Sequence, residues 1–400
     1  MMAILKVASV VLGASALLAA LPGTFELLLL TLGTARKRKI PDQPDTATLR
    51  LAVVIPAHDE ALLITRCVES VSLSARRYEG CEIVVVADNC SDETAALAVE
   101  AGARVLVRQN AELRGKGYAL RMAFDQLQAD GFNAFLVVDA DSIVSPNLVR
   151  EAGQRLAAGA TAVQARYRVA NDNASMRTRL MDLAFLAFNV ARPRGRAGWK
   201  LSAGILGNGF ALRAETLQQV PWDAASIVED LEYHLRLVSA GQRVDFIDAA
   251  TVYGEIPAGG KAAKVQRSRW EGGRLRMARE WAPKLATQLA RGEWRVAEPL
   301  LDLLTLPLAY HVLLLTFAAL ILPAPWREVA VAAMVVVLMH VISACVLGGN
   351  PWKTARALFS APFYIIWKLT TLSGVFSASR RSAGWLRSAR DGQVNVGPGK

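Results

Sequence analysis

The chain is poor in the residues that build most metal and redox centres. Among its 400 residues are four cysteines and four histidines. Cys67, Cys81, Cys90 and Cys345 show no C-x-x-C spacing and no nearby histidine, which argues against a zinc module or a disulfide framework and leaves buried free thiols. His58, His234, His311 and His340 are equally scattered, with no H-E-x-x-H pattern, so no metal role falls to them. Aromatic residues make up 7% of the chain. No helix-turn-helix or aromatic-studded basic strand supports a nucleic-acid partner. Gly115-Lys-Gly117 lacks the length and the hydroxyl of a P-loop, so an ATPase reading fails. Internal repeats and low-complexity tracts are also missing.

What is abundant is apolar surface. The hydrophobic fraction is 53% and the mean hydropathy +0.27, high for a purely soluble protein. The net charge of +11 favours anionic partners without choosing among nucleic acid, lipid headgroups and phosphorylated substrates. Its placement is more informative. Arg36, Lys37, Arg38 and Lys39 follow an apolar run directly, and Arg380, Arg381, Arg387 and Arg390 cluster at the other end, as beside a membrane.

Residues 3 to 33 are apolar apart from Lys6, Glu26 and a few hydroxyls, enough for a membrane helix of about 20 or more residues. A cleaved signal peptide would need a shorter core, so residues 1–35 read as a retained anchor. The basic residues after it set the amino terminus outside and the following chain in the cytoplasm. Pro41-Asp-Gln-Pro-Asp-Thr reads as a linker into an α/β domain over 48–255. Candidate strands are Leu51–Ile55, Glu82–Ala87, Arg104–Arg108 and Ala134–Val138. Helical periodicity covers Glu60–Ala75, Ser91–Ala101 and Gly117–Gln128. Such alternation predicts a doubly wound, mostly parallel sheet with ligands at the strands' carboxyl ends. Amphipathic helices over 256–296 precede a membrane region over 297–378. There Leu300–Leu322 and Val329–Leu347 read as spans and Ala357–Phe376 as an interfacial or re-entrant helix. Residues 379–400 form a basic tail.

Carboxylates collect at the predicted strand ends: Asp59 and Glu60, then Asp88 and Asp92, then Asp139 and Asp141. Two carboxylates one residue apart can turn toward one hard cation bridging a diphosphate, or can simply cap the next helix. Glu229 and Asp230 open an apolar-periodic stretch. They read as a base pair for proton removal or as ordinary acidic enrichment in a first helical turn. Gln266, Arg269 and Trp270 share a basic helical segment that suits either a diphosphate site or an anionic membrane surface.

Seven segments in order carry a resemblance. They are Val53-Val-Ile-Pro-Ala-His-Asp-Glu60, Val84-Val-Val-Ala-Asp-Asn-Cys-Ser-Asp-Glu-Thr94, Arg114-Gly-Lys-Gly-Tyr-Ala-Leu120, Asp139-Ala-Asp141, Gly207-Asn-Gly-Phe-Ala-Leu-Arg213, Val228-Glu-Asp230 and Gln266-Arg-Ser-Arg-Trp270. Together they resemble the family 2 glycosyltransferases of GT-A fold, with their DxD, ED and QxxRW motifs. The resemblance implies an inverting, metal-dependent transfer from a nucleotide-diphosphate sugar, with a preference for uridine. Asp141 would ligate Mg2+ or Mn2+, with Asp139 shared between metal and ribose. Pro56, Ala57, Asp59, Glu60 and Asp88 would hold the nucleoside, and Arg114 and Lys116 its base or diphosphate. Asp230 would be the base, beside Glu229. Asn208 and Gly209 would face the acceptor, and Gln266, Arg269 and Trp270 the transfer site. The expected acceptor is lipid-linked or a polysaccharide, at the cytoplasmic face of the inner membrane, in exopolysaccharide or glycolipid synthesis. About three spans are too few for a secretion channel, which favours limited addition unless a homo-oligomer rebuilds one. Two other classes remain open: a membrane-associated nucleotidyltransferase and a non-catalytic scaffold.

Overall fold

The computed structural model describes residues 2–36, 49–223, 226, 228–257 and 259–380. Lys37, Arg38, Lys39, the linker from Pro41, and Arg381, Arg387 and Arg390 lie outside the described residues.

The chain starts with α1 (Met2–Thr34), a helix long and apolar enough to cross a membrane. The α/β unit then runs β1 (Leu51–Ala57), α2 (Ile64–Ala75), β2 (Cys81–Asp88), α3 (Thr94–Glu100), β3 (Arg104–Arg108), α4 (Lys116–Ala129) and β4 (Ala134–Val137). Both helices α2 and α3 begin later than their periodicity predicts, because the loops before them are stitched to each other. Glu60 N–H donates to Thr94 Oγ1 at 2.7 Å, Ser91 N–H to Asp59 Oδ1 at 2.7 Å and Ala61 N–H to Asp92 Oδ2 at 3.1 Å. The unit continues through β5 (Ser142–Val144), α5 (Leu148–Ala157), β6 (Ala162–Val169), α6 (Met176–Phe185), α7 (Arg192–Gly198), β7 (Phe210–Arg213), α8 (Ala214–Gln219), α9 (Glu229–Ser239) and β8 (Val244–Gly254).

The eight strands form one sheet in the order β3-β2-β1-β4-β7-β6-β8-β5. β1 pairs in parallel with both β2 and β4. The chain therefore steps outward in both directions from β1, and a crevice opens beyond the carboxyl ends of β1 and β4. Buried Val53, Ile55 and Val85 pack on α2 and α5 from one face, and Val54, Val84 and Phe135 on α4 from the other. A sheet covered on both faces needs near-continuous apolar strands, which is why these strands were legible.

The remaining helices are α10 (Gly260–Ala290), α11 (Ala297–Leu304), α12 (Leu308–Ile321), α13 (Trp326–Leu347), α14 (Pro351–Arg356), α15 (Ala361–Leu369) and α16 (Leu372–Ala378). α13 is long and apolar enough to cross a membrane, as expected. The span expected over Leu300–Leu322 is not one straight helix: it breaks between α11 and α12 with a 73° bend. Pro307 stands at the break, where its ring and missing N–H prevent the helix from continuing. The segment expected as one helix over Ala357–Phe376 is likewise divided, into a 3-10 turn followed by α15 and α16.

The anchor is bound to the rest of the chain by two devices. Glu26, inside α1, is 1% exposed and pairs with Arg192 and Arg196 of α7. Those guanidiniums also hold Asp302 of α11, at 2.5 and 3.0 Å, and Arg196 reaches Glu298 at 2.6 Å. Arg274 of α10 closes the group on Asp302 at 3.1 Å. Three carboxylates meet three guanidiniums, the balance that buried ions need. The second device is a close crossing of α1 and α7, where a Cβ at Gly195 would overlap the Leu30 carbonyl. Gly195→Ala must push the helices apart, and we expect a loss of about 1–3 kcal/mol, read as a lower thermal midpoint in detergent. An unchanged midpoint would mean that the crossing does not clamp α1.

Candidate functional site

Two cavities meet beyond the sheet. The smaller, about 350 Å3, lies against the ends of β1, β2 and β4 and is lined by Pro56, Ala57, Glu60 and Asp88 among others. The larger, about 1210 Å3, runs from Glu229 and Asp230 past α10 to α1, α12, α13 and α15. Arg114, Lys116, Asp139, Asp141, Gln266 and Arg269 line both, so they form the passage between them.

Most residues singled out in the sequence converge here, from distant parts of the chain. Asp139 follows β4, and Lys116, the first residue of α4, holds it with Nζ 2.5 Å from Oδ1. The same ammonium donates to the Gly207 carbonyl. Asn208 accepts from the Asp139 N–H at 3.1 Å and donates to Ser142 Oγ at 2.8 Å. That hydroxyl donates onward to Asp141 Oδ1 at 3.2 Å. Asn208 thus works as a fully buried brace behind the two aspartates, and Gly209 N–H continues it by donating to Val137 O at 2.9 Å. Gly207 has a φ of +80°, and a Cβ there would stand 2.9 Å from Asp230 Oδ2. Trp270 is half-buried, its ring 6.0 Å from that of Phe185, and it lines the larger cavity.

Asn208 and Gly209, expected to face the acceptor, line neither cavity, because their polar groups are engaged in this brace; Asp59 also stands apart. Its φ of +51° turns the carboxylate toward Ser91, and it does not line either cavity. Oxygen and sulfur atoms of Asp59, Cys90 and Asp92 do come within 4.8 Å of one another. Burial pushes the Cys90 thiol up, away from the thiolate a metal would require. The hydrogen bonds of these residues to neighbouring backbone make them loop fasteners.

The passage is strongly electrostatic. Burial, followed by the charges of Asp230 and Asp139, pushes Glu229 up to about 7 against the pull of Lys116. Burial also raises Asp230 above the usual carboxylate range, although the Leu231 N–H donates to it at 2.8 Å. Burial disfavours the Lys116 ammonium, but Asp139, Glu229 and Asp230 outweigh that and hold it protonated. Asp139 and Asp141 both line the passage, and their carboxylate oxygens are hard donors of the kind that could hold a divalent cation such as Mg2+ or Mn2+.

Sequence reasoning missed Arg108 and Tyr167. Arg108 ends β3 directly opposite Asp88 in register, and its Nη1 lies 2.6 Å from Asp88 Oδ1. An arginine closing the short strand Arg104-Val-Leu-Val-Arg108 beside an aspartate-ended strand was the available signal. Tyr167 lies within the field of Asp139 and Asp141, and its ring is 5.2 Å from Phe185. Nothing local marks it. Arg108→Ala should strand Asp88 in a buried setting and cost about 3–5 kcal/mol in stability. A Tm unchanged from the parent would show that solvent already screens this pair.

Comparisons with known proteins follow the same lines. A family described as "Glycosyltransferase like family 2" matches residues 49–273. Probable glycosyltransferase YdaM of Bacillus subtilis (strain 168) is 28% identical over 233 residues, 56% of this chain and 55% of that protein. Glucomannan 4-beta-mannosyltransferase 9 of Arabidopsis thaliana is 23% identical over 246 residues, 58% of this chain and 43% of that one. The chain spans about half the length of the curated relatives it matches. Mannosyltransferase PcManGT from Pyrobaculum calidifontis, solved in complex with GDP-Man and Mn2+, has a TM-score of 0.54 at 16% identity, covering 91% of this chain and 99% of that one. That likeness is one of fold. With a match running through both carboxylate pairs to the Gln266–Trp270 helix, the chain belongs to the family 2 glycosyltransferases and carries their GT-A fold.

Proposed function

We propose that the protein is an inverting, metal-dependent transferase. It moves a sugar from a nucleotide-diphosphate donor to a lipid-linked or polysaccharide acceptor at the cytoplasmic face of the inner membrane, in glycolipid or exopolysaccharide synthesis. The observation that carries this reading is the junction of a cavity at the sheet's carboxyl ends, where Asp88, Lys116, Asp139 and Asp141 stand, with a larger one running among apolar helices. The donor occupies the first and the acceptor enters through the second.

Asp88 and the Pro56–Glu60 loop hold the nucleoside, and Arg114 covers it. Arg269 and Gln266 face the diphosphate, for which a guanidinium offers paired donors. Asp141, with Asp139, would hold Mn2+ or Mg2+, which when bound stabilises charge on the leaving diphosphate. Asp230 accepts the proton of the acceptor hydroxyl as that oxygen bonds the anomeric carbon and the carbon–phosphate-oxygen bond breaks, its electron pair leaving with the nucleoside diphosphate. One base and no covalent nucleophile imply attack opposite the leaving group, hence inversion. Glu229 and Lys116 set the charge state of that base. The sugar donor is UDP-linked by the resemblance, and GDP-mannose, named for the Pyrobaculum enzyme, is the second donor to test. Two helices long enough to span, plus the bent pair, support a multi-pass reading. A nucleotidyltransferase or an inert scaffold would leave the larger cavity unused.

The test is release of nucleoside diphosphate from a panel of nucleotide sugars by detergent-purified protein with native lipid extract. Release should require Mg2+ or Mn2+ and fall about 10²–10⁴-fold in Asp230→Asn. Donor binding without any release, in parent and variant alike, would sink the enzyme reading.

A raised base must lose its proton before it can work, so activity is lost as pH falls through the folded-state value. kcat/KM should rise with pH through a midpoint above the usual carboxylate range, because burial raises Asp230. Glu229→Gln removes a neighbouring negative charge and should move that midpoint down. A flat profile from pH 5 to 9 would exclude Asp230 as the base. Gly207→Ala presses on the Asp230 carboxylate, and we expect kcat to drop about 10²-fold with the fold intact.

A further inference from the structure

The larger cavity is lined by two ionic groups of opposite character. The group around Glu26 and Asp302 is balanced. The second, where α6, α10 and α15 meet, is not. Lys368 Nζ lies 2.8 Å from Glu271 Oε1 and 4.6 Å from the centre of the Tyr310 ring. Arg267 reaches the same carboxylate oxygen only at 3.8 Å and directs Nη2 at Met181 Sδ, 2.7 Å away, a weak acceptor. It also lies 5.6 Å from the Trp270 ring centre and 6.0 Å from that of Tyr364, whose hydroxyl, a neutral partner, shares a hydrogen bond with it. Arg177 stands behind them over Trp367. Burial, and less so the like charge of Arg267, pushes the Arg177 guanidinium below its ordinary range. Among the described residues, Glu271 is the one carboxylate recorded against these three cations.

Lys368 is 3% exposed, and a partly dehydrated excess of positive charge is costly without an anion. The cavity wall next to this group is hydrocarbon, from Val312, Val337, Leu338, Val341, Leu358 and Ile365. In the other direction three aromatic residues lead back toward the passage. Trp270 adjoins Arg267, Phe185 adjoins Trp270 at 6.0 Å, and Tyr167 adjoins Phe185 at 5.2 Å. An anion at Arg267 is therefore separated from Asp139 and Asp141 by a corridor of rings, the surface on which sugar rings stack.

We propose that Arg267 and Lys368 form an anion subsite for the phosphate of a lipid-borne acceptor. Its hydrocarbon chain lies among α12, α13 and α15, and its saccharide end extends along Trp270, Phe185 and Tyr167 to Asp230. This rests on the transferase reading above and narrows its acceptor to an anionic lipid-linked saccharide.

The test uses the full chain in a neutral detergent, with dodecyl phosphate as probe, dodecanol as its uncharged counterpart, and phosphatidylglycerol as an ordinary anionic bilayer lipid. Calorimetry should show dodecyl phosphate binding that weakens about tenfold in Arg267→Gln and in Lys368→Gln and tightens in Glu271→Gln. Unchanged binding of the nucleotide-sugar donor shows that each variant is folded. Equal binding of dodecanol, or equal affinity for phosphatidylglycerol, would overturn the subsite, the latter by reducing it to a bilayer contact. In a second arm, labelled product from native lipid should be retained on an anion exchanger, and a neutral lipid product would overturn the proposal. Should no donor be turned over, the transferase reading fails on its own, while the dodecyl phosphate series still decides the subsite.

Discussion

The pairing of Glu26 with Arg192 and Arg196 is the constraint on which the arrangement of this molecule rests. A carboxylate inside an apolar helix is tolerated only where countercharges meet it, and both are supplied by α7, within the transferase unit. α1 therefore cannot be an independent anchor that tethers a separate domain. Over residues 13–34 it packs against α7, α12 and α13. Its exposed face carries Leu12, Leu18 and Phe25, while Leu17, Ala20 and Leu27 are buried. One residue that looked like a blemish in a membrane span is what orients that span on the catalytic unit.

The same group joins the long apolar helices to the passage between the cavities. Asp302 receives Arg192, Arg196 and Arg274, and Arg274 also donates to the Asp302 carbonyl near the end of α11. α10, which carries Arg274, also carries Arg269 and Trp270 about one turn earlier and Gln266 about two turns earlier. The bent α11–α12 pair is thus tied to the helix that lines the passage between the two cavities. The break at Pro307 gives that pair its angle, and the charges at Asp302 fix where the angle points.

Much of this was legible in the sequence, and the part that was not has a common cause. β1 to β4 announce themselves as short apolar runs because a sheet covered on both faces demands them, and the carboxylates at their ends followed from the strand positions. Asp139 and Asp141 are legible this way, Lys116 only through the family resemblance of its segment, and the three meet in the passage. Helices α6 and α7, by contrast, are joined by a π-helical turn over Leu186–Ala191 that breaks the 3.6-residue rhythm. Nothing in 176–198 marked it as the wall of a cavity or as the source of Arg192 and Arg196. Asp59 was misjudged for a similar reason. Its carboxylate was counted with the strand-end acids, but a left-handed backbone angle aims it at the neighbouring loop. Periodicity reports elements and their faces, whereas partners such as Arg108 for Asp88 depend on the register between strands far apart in the chain.

The charge balance of the two ionic groups also separates structure from recognition. Where guanidiniums and carboxylates are equal in number, as around Asp302, each desolvated ion has its counterion within the fold, and the group stabilises a single arrangement of helices. Around Glu271 the fold supplies one carboxylate and rests the surplus cations on aromatic rings and a sulfur, which lower the cost of dehydration without neutralising the charge. A purely structural group would gain from a second acid at this place. Keeping the positive charge inside an otherwise apolar cavity makes sense for a site that is completed when its ligand arrives. The hydrocarbon walls on one side and the aromatic corridor on the other then say which end of that ligand goes where.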